Sequence, residues 1–109
     1  MDVVFTPSAL AELLEAIAYI QRRDPAAAER FRTRVATSLA KLEDFPLSGR
    51  SLPELPQQPF REVIASPYRV FYRVEKETVW VVAFWHLARA PWPESQELEW
   101  GPPQGREGW

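Results

Sequence analysis

The chain has 109 residues, 46% hydrophobic and 26% charged, with a formal net charge of −2, the profile of one soluble globular domain. It has no cysteine and one histidine, His86, which excludes disulfide frameworks, thiolate zinc sites, cysteine nucleophiles and multi-histidine metal centres. Gly49 is the only glycine before position 101, so glycine-rich phosphate loops are excluded too, and no metal or organic cofactor is expected.

Asp2–Thr6, with Val3, Val4 and Phe5, reads as a short buried strand. Thr6-Pro7 then opens a helix, the threonine as N-cap and the proline at the first helical position, where its missing N–H costs nothing. Leu10, Leu13, Leu14, Ile17 and Ile20 form the apolar stripe of an amphipathic helix of about 15 residues. Asp24-Pro25 repeats the device, and Phe31, Val35, Leu39 and Leu42 mark the buried stripe of a second helix ending at Phe45-Pro46. So short a connection makes an antiparallel helical hairpin.

Leu47–Pro59 reads as a proline-rich loop. Phe60–Ala65 is expected to be a strand, Ser66-Pro67-Tyr68 a turn, and Arg69–Val74 a strand with Val70, Tyr72 and Val74 on one face and Arg69, Phe71 and Arg73 on the other. Thr78–His86, apolar on both faces, is expected in the interior of the sheet. One layer of two helices cannot cover both faces of that strand, so an apolar groove left for a partner is expected. The register is open: pairing Val74 with Thr78 separates His86 from Arg69, whereas pairing Arg73 with Trp80 puts them on one face.

The order β-α-α-β-β-β is an α+β architecture, a helical hairpin packed on a small, mainly antiparallel sheet. It occupies residues 1–90. Residues 91–109 form a Pro/Gly/Trp-rich acidic tail, with Arg106 against Glu94, Glu97, Glu99 and Glu107. No apolar run approaches the roughly 20 residues of a membrane span. The first residues lack a basic segment followed by an apolar one, so the cytoplasm is the expected compartment.

The ordered combination of several short motifs resembles the RelE/ParE toxin family. These are Phe5-Thr6-Pro7-Ser8-Ala9, Asp24-Pro25-Ala26-Ala27-Ala28, Phe45-Pro46, Gly49-Arg50, Arg61-Glu62-Val63, Tyr68-Arg69-Val70-Phe71-Tyr72-Arg73-Val74, and His86 with Arg89. The resemblance implies the toxin of a bacterial type II toxin–antitoxin pair, neutralised by an antitoxin laid over the sheet and helical hairpin. It implies one of two actions, with a degenerate family member that is only a non-toxic interaction module as the third alternative. A RelE-like member is a ribosome-dependent mRNA endoribonuclease. Here Arg69 would clamp phosphate, His86 would shuttle a proton and Glu54 would be a second acid/base group. A ParE-like member inhibits DNA gyrase by binding, here through Arg50, Arg61, Arg69, Arg73 and Arg89, with no catalytic residue. The near-neutral charge of residues 1–90, with twelve Lys/Arg against eleven Asp/Glu, and the acidic tail fit the ParE-like branch better, because RNA affinity rests on phosphate contacts.

Overall fold

Both helices begin at the threonine and aspartate caps that precede their prolines. The computed structural model describes residues 1–53 and 59–89. In chain order the elements are β1 (Asp2–Phe5), α1 (Pro7–Arg23), α2 (Pro25–Asp44), β2 (Arg50–Ser51), β3 (Arg61–Ala65), β4 (Tyr68–Glu75) and β5 (Thr78–His86). The Thr6 hydroxyl accepts from the Ala9 N–H at 3.2 Å. The Asp24 carboxylate accepts from Ala26 and Ala27 at 3.1 and 3.2 Å, while its own N–H donates to Ile20 C=O at 2.8 Å. One residue therefore closes α1 and opens α2, which forces the tight hairpin.

The buried stripe of α1 is rotated from the one expected. Ala9 and Ala16 are buried, with Leu13, Ile17 and Ile20 packed beside them, whereas Leu10 and Leu14 are 46% and 58% exposed. The two alanines let the helix axis approach the sheet, and leucines one position further round then point outward.

The sheet runs β1-β5-β4-β3-β2. β1 pairs parallel with β5 and every other pairing is antiparallel. The loop expected over Leu47–Pro59 contains a two-residue strand, β2, with Arg50 opposite Glu62. Gly49 makes it possible: a Cβ there would lie 2.5 Å from the Glu62 carbonyl oxygen and 2.6 Å from the Tyr72 hydroxyl, so only glycine admits so close an approach. The buried Tyr72 hydroxyl accepts from the Gly49 N–H at 2.9 Å and donates to Pro46 C=O at 2.8 Å. Tyr68, expected in the turn, begins β4, and Phe60 precedes β3.

Neither simple register holds along the whole β4–β5 pair. Near the turn Arg73 faces Trp80 and Tyr72 faces Val81; beyond a bulge Phe71 faces Ala83, Arg69 faces Trp85 and Tyr68 faces His86. The extra residue reverses the outcome of the Arg73–Trp80 pairing, leaving Arg69 and His86 on opposite faces.

Both faces of the sheet are packed. Towards the helices lie Val70, Val81, Phe84 and Ala65 with Phe31 and Val35, and a neighbouring group of Leu42, Tyr72 and Val79. On the far face Phe71, Val82, Ala83 and Trp85 are buried with Leu52 and Phe60. The groove expected on the second face of β5 is thus filled by residues flanking the proline-rich segment. Sequence periodicity does not show that a loop can serve as a layer.

Lys76 and Glu77 join β4 to β5 with φ of 52° and 48°, the two left-handed residues of a tight hairpin, a conformation that favours Asn-Gly. Replacing the pair by Lys76→Asn with Glu77→Gly should stabilise the fold by about 1 kcal/mol, which raises the melting temperature by roughly 4–8 °C in a domain of this size. Thermal denaturation followed by circular dichroism checks this.

Candidate functional site

Two regions gather the polar side chains. The first is a buried ion cluster on the far face of the sheet. Glu62 and Arg69 are 2% and 1% exposed. One Glu62 carboxylate oxygen accepts from Arg69 Nε and the other from Arg50 Nε. The Arg69 guanidinium lies 4.7 Å from the centre of the Phe71 ring. Residues on β2, β3 and β4 are thereby tied through one carboxylate.

The remaining arginines singled out from the sequence are dispersed. Arg50 keeps 64% of its side chain exposed. Arg61, half-buried, donates to Gly49 C=O at 2.9 Å. Arg73 pairs with Glu75 at 3.1 Å, with its side chain only 18% exposed. The face carrying Arg69 and Arg73 is therefore not the solvated one that strand alternation suggests. Arg89 is exposed, 3.5 Å above the Trp85 ring, whose indole N–H donates to its carbonyl at 3.4 Å. Glu54 and residues 90–109 lie outside the described residues.

The second region is an open groove of about 590 Å³ between α1 and the end of β5. His86, Tyr68, Tyr19, Arg22, Glu12 and Glu15 line it. Its wall forms because β1 ends at Phe5, opposite Val81, and β5 runs on to His86 with only β4 paired to it among the described residues. Glu12 accepts from the Phe84 N–H at 3.0 Å, taking the place of a neighbouring strand. His86 Nδ1 accepts from the Ala88 N–H at 3.0 Å, which assigns the proton of the neutral ring to Nε2. Its ring stands edge-on to Tyr68 at 5.1 Å. Burial pushes the Tyr68 hydroxyl above its ordinary pKa, and the nearby Tyr19 charge acts in the same direction. Burial also raises Tyr72, partly offset by the Gly49 N–H and the Arg61 charge.

The model of the ParE toxin of the type II toxin–antitoxin system parDE matches residues 3–91. The chain belongs to the ParE toxin family. Toxin RelE2 of Caulobacter vibrioides is 36% identical over 89 residues, covering 81% of this chain and 97% of that one. Y4kP of Sinorhizobium fredii is 35% identical over 91 residues, covering 83% of this chain and 91% of that one. In fold, the chain matches a chromosomal ParDE TA system of P. aeruginosa with a TM-score of 0.63 at 16% identity, covering 79% of this chain and 95% of that chain. As a type II toxin the protein implies an antitoxin partner. Among its described residues no helix is long and apolar enough to cross a membrane.

For this ParE-family toxin, sequence reading found His86 and Arg89 but missed Glu12, Tyr19, Arg22 and Tyr68 beside them. The signal was present on α1: positions 12, 15, 16, 19 and 22 share one helical face, next to the apolar stripe. The sequence places Tyr68 in a turn, where it has no partner, whereas it opens β4 and faces His86.

Breaking the buried cluster should be costly. Glu62→Gln removes the buried carboxylate charge that Arg69 and Arg50 share and should lose about 3–5 kcal/mol, whereas Arg50→Ala at the exposed end should lose less than about 1 kcal/mol. Urea denaturation of the two variants measures the contrast.

Alkaline conditions should loosen the fold. Tyr68 and Tyr72 titrate higher when folded, so the unfolded chain releases these protons first. Their contribution is whole below about pH 10 and is lost as the pH rises through the folded values. The urea midpoint should fall as the pH rises above about 10, and Tyr68→Phe should flatten that fall.

Proposed function

We propose that the protein is a ParE-like toxin that inhibits DNA gyrase by contact and is held inactive by its cognate antitoxin. The observation that carries this reading is the separation of Arg69 from His86. An endoribonuclease needs a cation on the phosphate and a proton-transfer group within reach of the same phosphodiester. Here Arg69 is buried against Glu62 and Phe71, and the sheet lies between it and His86. A contact inhibitor has no such requirement. In this reading the exposed Arg50 and Arg89 offer charge to the target from separate places on the molecule, Arg61 and Arg73 being partly buried, and Arg69 positions Arg50 through the shared carboxylate. The exposed Leu10 and Leu14 on the outer side of the helical hairpin suit an antitoxin that covers the hairpin by burying apolar surface.

The alternative, mRNA cleavage on the ribosome, draws on one observation. His86 shares a groove with Tyr19, Tyr68 and Arg22, placing a proton-transfer group beside a cation that is not Arg69.

A supercoiling assay with purified gyrase, alongside induced expression in bacteria, separates the two. Blocked supercoiling and filamentous growth are expected, with mRNA intact and with relief by the antitoxin. Normal supercoiling together with cleaved mRNA, the cleavage abolished by His86→Ala, would overturn the proposal.

A further inference from the structure

The fold sorts the chain's charges in a way that its near-neutral total conceals. At one end of the molecule α1 stops, α2 starts, and the β3–β4 turn meets the residues that follow β5. Tyr68 faces His86 there, and the Leu87 N–H donates to Pro67 C=O at 2.9 Å. Arg34 Nη1 of α2 donates to Ser66 C=O at 3.3 Å, and Arg22 and Arg89 line one groove with Tyr68 and His86. The other end holds the β4–β5 turn, the start of β1 and the end of α2. Asp2 and Glu75 both lie opposite Thr78, and the amino terminus donates to Glu43 C=O at 3.1 Å.

The first end is basic. Arg22, Arg23, Arg30, Arg32, Arg34 and Arg89 are all exposed there. The carboxylates set among them are those of Glu15, Asp24 and Glu29. Glu29 pairs with Arg32, and Asp24 lies 4.0 Å from Arg30. Among the described residues, Arg22, Arg23, Arg34 and Arg89 pair with no carboxylate. The second end is acidic, with Asp2, Glu43, Asp44, Glu75 and Glu77 around Lys76. Two ends of opposite sign turn an approaching polyanion towards one of them before contact.

The aromatic rings at the basic end decide which polyanion fits. Single-stranded RNA is read through bases stacked on open rings. Here the rings are already engaged within the chain. The Arg23 guanidinium lies 4.5 Å from the centre of the Tyr19 ring, and that of Arg89 3.5 Å from Trp85. Tyr68 packs against Phe31 at 5.2 Å and His86 at 5.1 Å. An array of guanidiniums without a stacking platform suits the regular phosphate rows of a duplex, which are bound through charge and carry no sequence.

We infer that the basic end of this toxin binds the phosphate backbone of duplex DNA without reading its sequence. The setting rests on the gyrase reading above, because gyrase carries duplex DNA and a toxin docked on it meets that DNA as well. Arg30 and Arg34 stand one helical turn apart on α2, on the β3 side of this end, while Arg22 and Arg89 stand on the β5 side. Phosphates contacted from both sides hold the toxin to the duplex by charge. The acidic end is left facing away from the DNA.

The test is fluorescence anisotropy of a short labelled DNA duplex of mixed sequence, titrated with the full chain at rising salt. With about three phosphates engaged, affinity falls roughly fortyfold between about 50 and 200 mM salt. Arg22→Glu/Arg30→Glu/Arg34→Glu should bind at least about tenfold more weakly, with a shallower salt dependence. Lysine at the same three positions should retain binding, because the contact needs the charge, and this separates loss of charge from loss of fold. Glu43→Gln/Asp44→Asn at the acidic end should change affinity by less than about twofold. Absence of binding, salt-independent binding, or tighter binding of a single-stranded RNA of the same length would overturn the inference. So would a gain in Glu43→Gln/Asp44→Asn as large as the loss in the glutamate variant, since net charge and not the basic end would then decide. In the supercoiling assay the glutamate variant should need at least about tenfold more toxin to block gyrase, and undiminished potency would overturn the inference too. Parent toxin that binds the duplex yet leaves supercoiling normal would refute the gyrase reading alone and keep the basic end assigned to DNA.

Discussion

Val82 and Ala83 both pack on the face of the sheet away from the helices, because β5 carries one residue more than β4 opposite the Phe71–Tyr72 step. That bulge governs what lies on each side of the molecule. Before it, Val79 and Val81 face the helices; after it, Phe84 and His86 do, and Trp85 turns to the far core. Without the extra residue Phe84 and His86 would point into the far layer. The groove between α1 and β5 would then lose its imidazole. A single inserted residue in an interior strand changes the side of every residue beyond it, and strong burial on both faces holds the shift in place.

The far layer depends on an unusual economy. Among the described residues no helix covers it, and Leu52 of the proline-rich segment and Phe60 just after that segment supply the apolar cover. The segment is held at its start by three contacts that serve one another. Gly49 sits against Tyr72, Arg50 engages Glu62, and Arg61 holds Gly49 C=O. A buried ion pair contributes little net stability over an apolar pair of similar shape, because both charges lose their hydration. Its value here is geometric. A carboxylate shared between Arg69 and Arg50 is satisfied in only one alignment of β2, β3 and β4.

These features bear on function through what they remove from the surface. Arg69 is spent inside the fold, and Arg73 largely so, leaving a molecule whose free charge is concentrated at the margins of the sheet and along the helices. A protein of this size that acts by contact needs shape, edges and exposed side chains more than a convergent catalytic centre. Among the described residues, the groove beside His86 and the overhang of β3 are two places where the chain offers more than a flat surface.

Much of the fold was legible in the residues. The Thr6-Pro7 and Asp24-Pro25 caps, the stripe of Phe31, Val35 and Leu42, and the alternation of Val70, Tyr72 and Val74 act over distances of a few residues, and local sequence determines them. The family could be read in the same way, from the order of short motifs. What needed the tertiary structure was every property that depends on two segments meeting. The rotation of α1 that exposes Leu10 and Leu14, the strand at Arg50–Ser51, the bulge in β5 and the commitment of Arg69 to Glu62 are of this kind. Periodicity tells a side chain which face of its own element it occupies. Only packing decides what stands opposite, and a one-residue change of register there separates Arg69 from His86 by the thickness of the sheet.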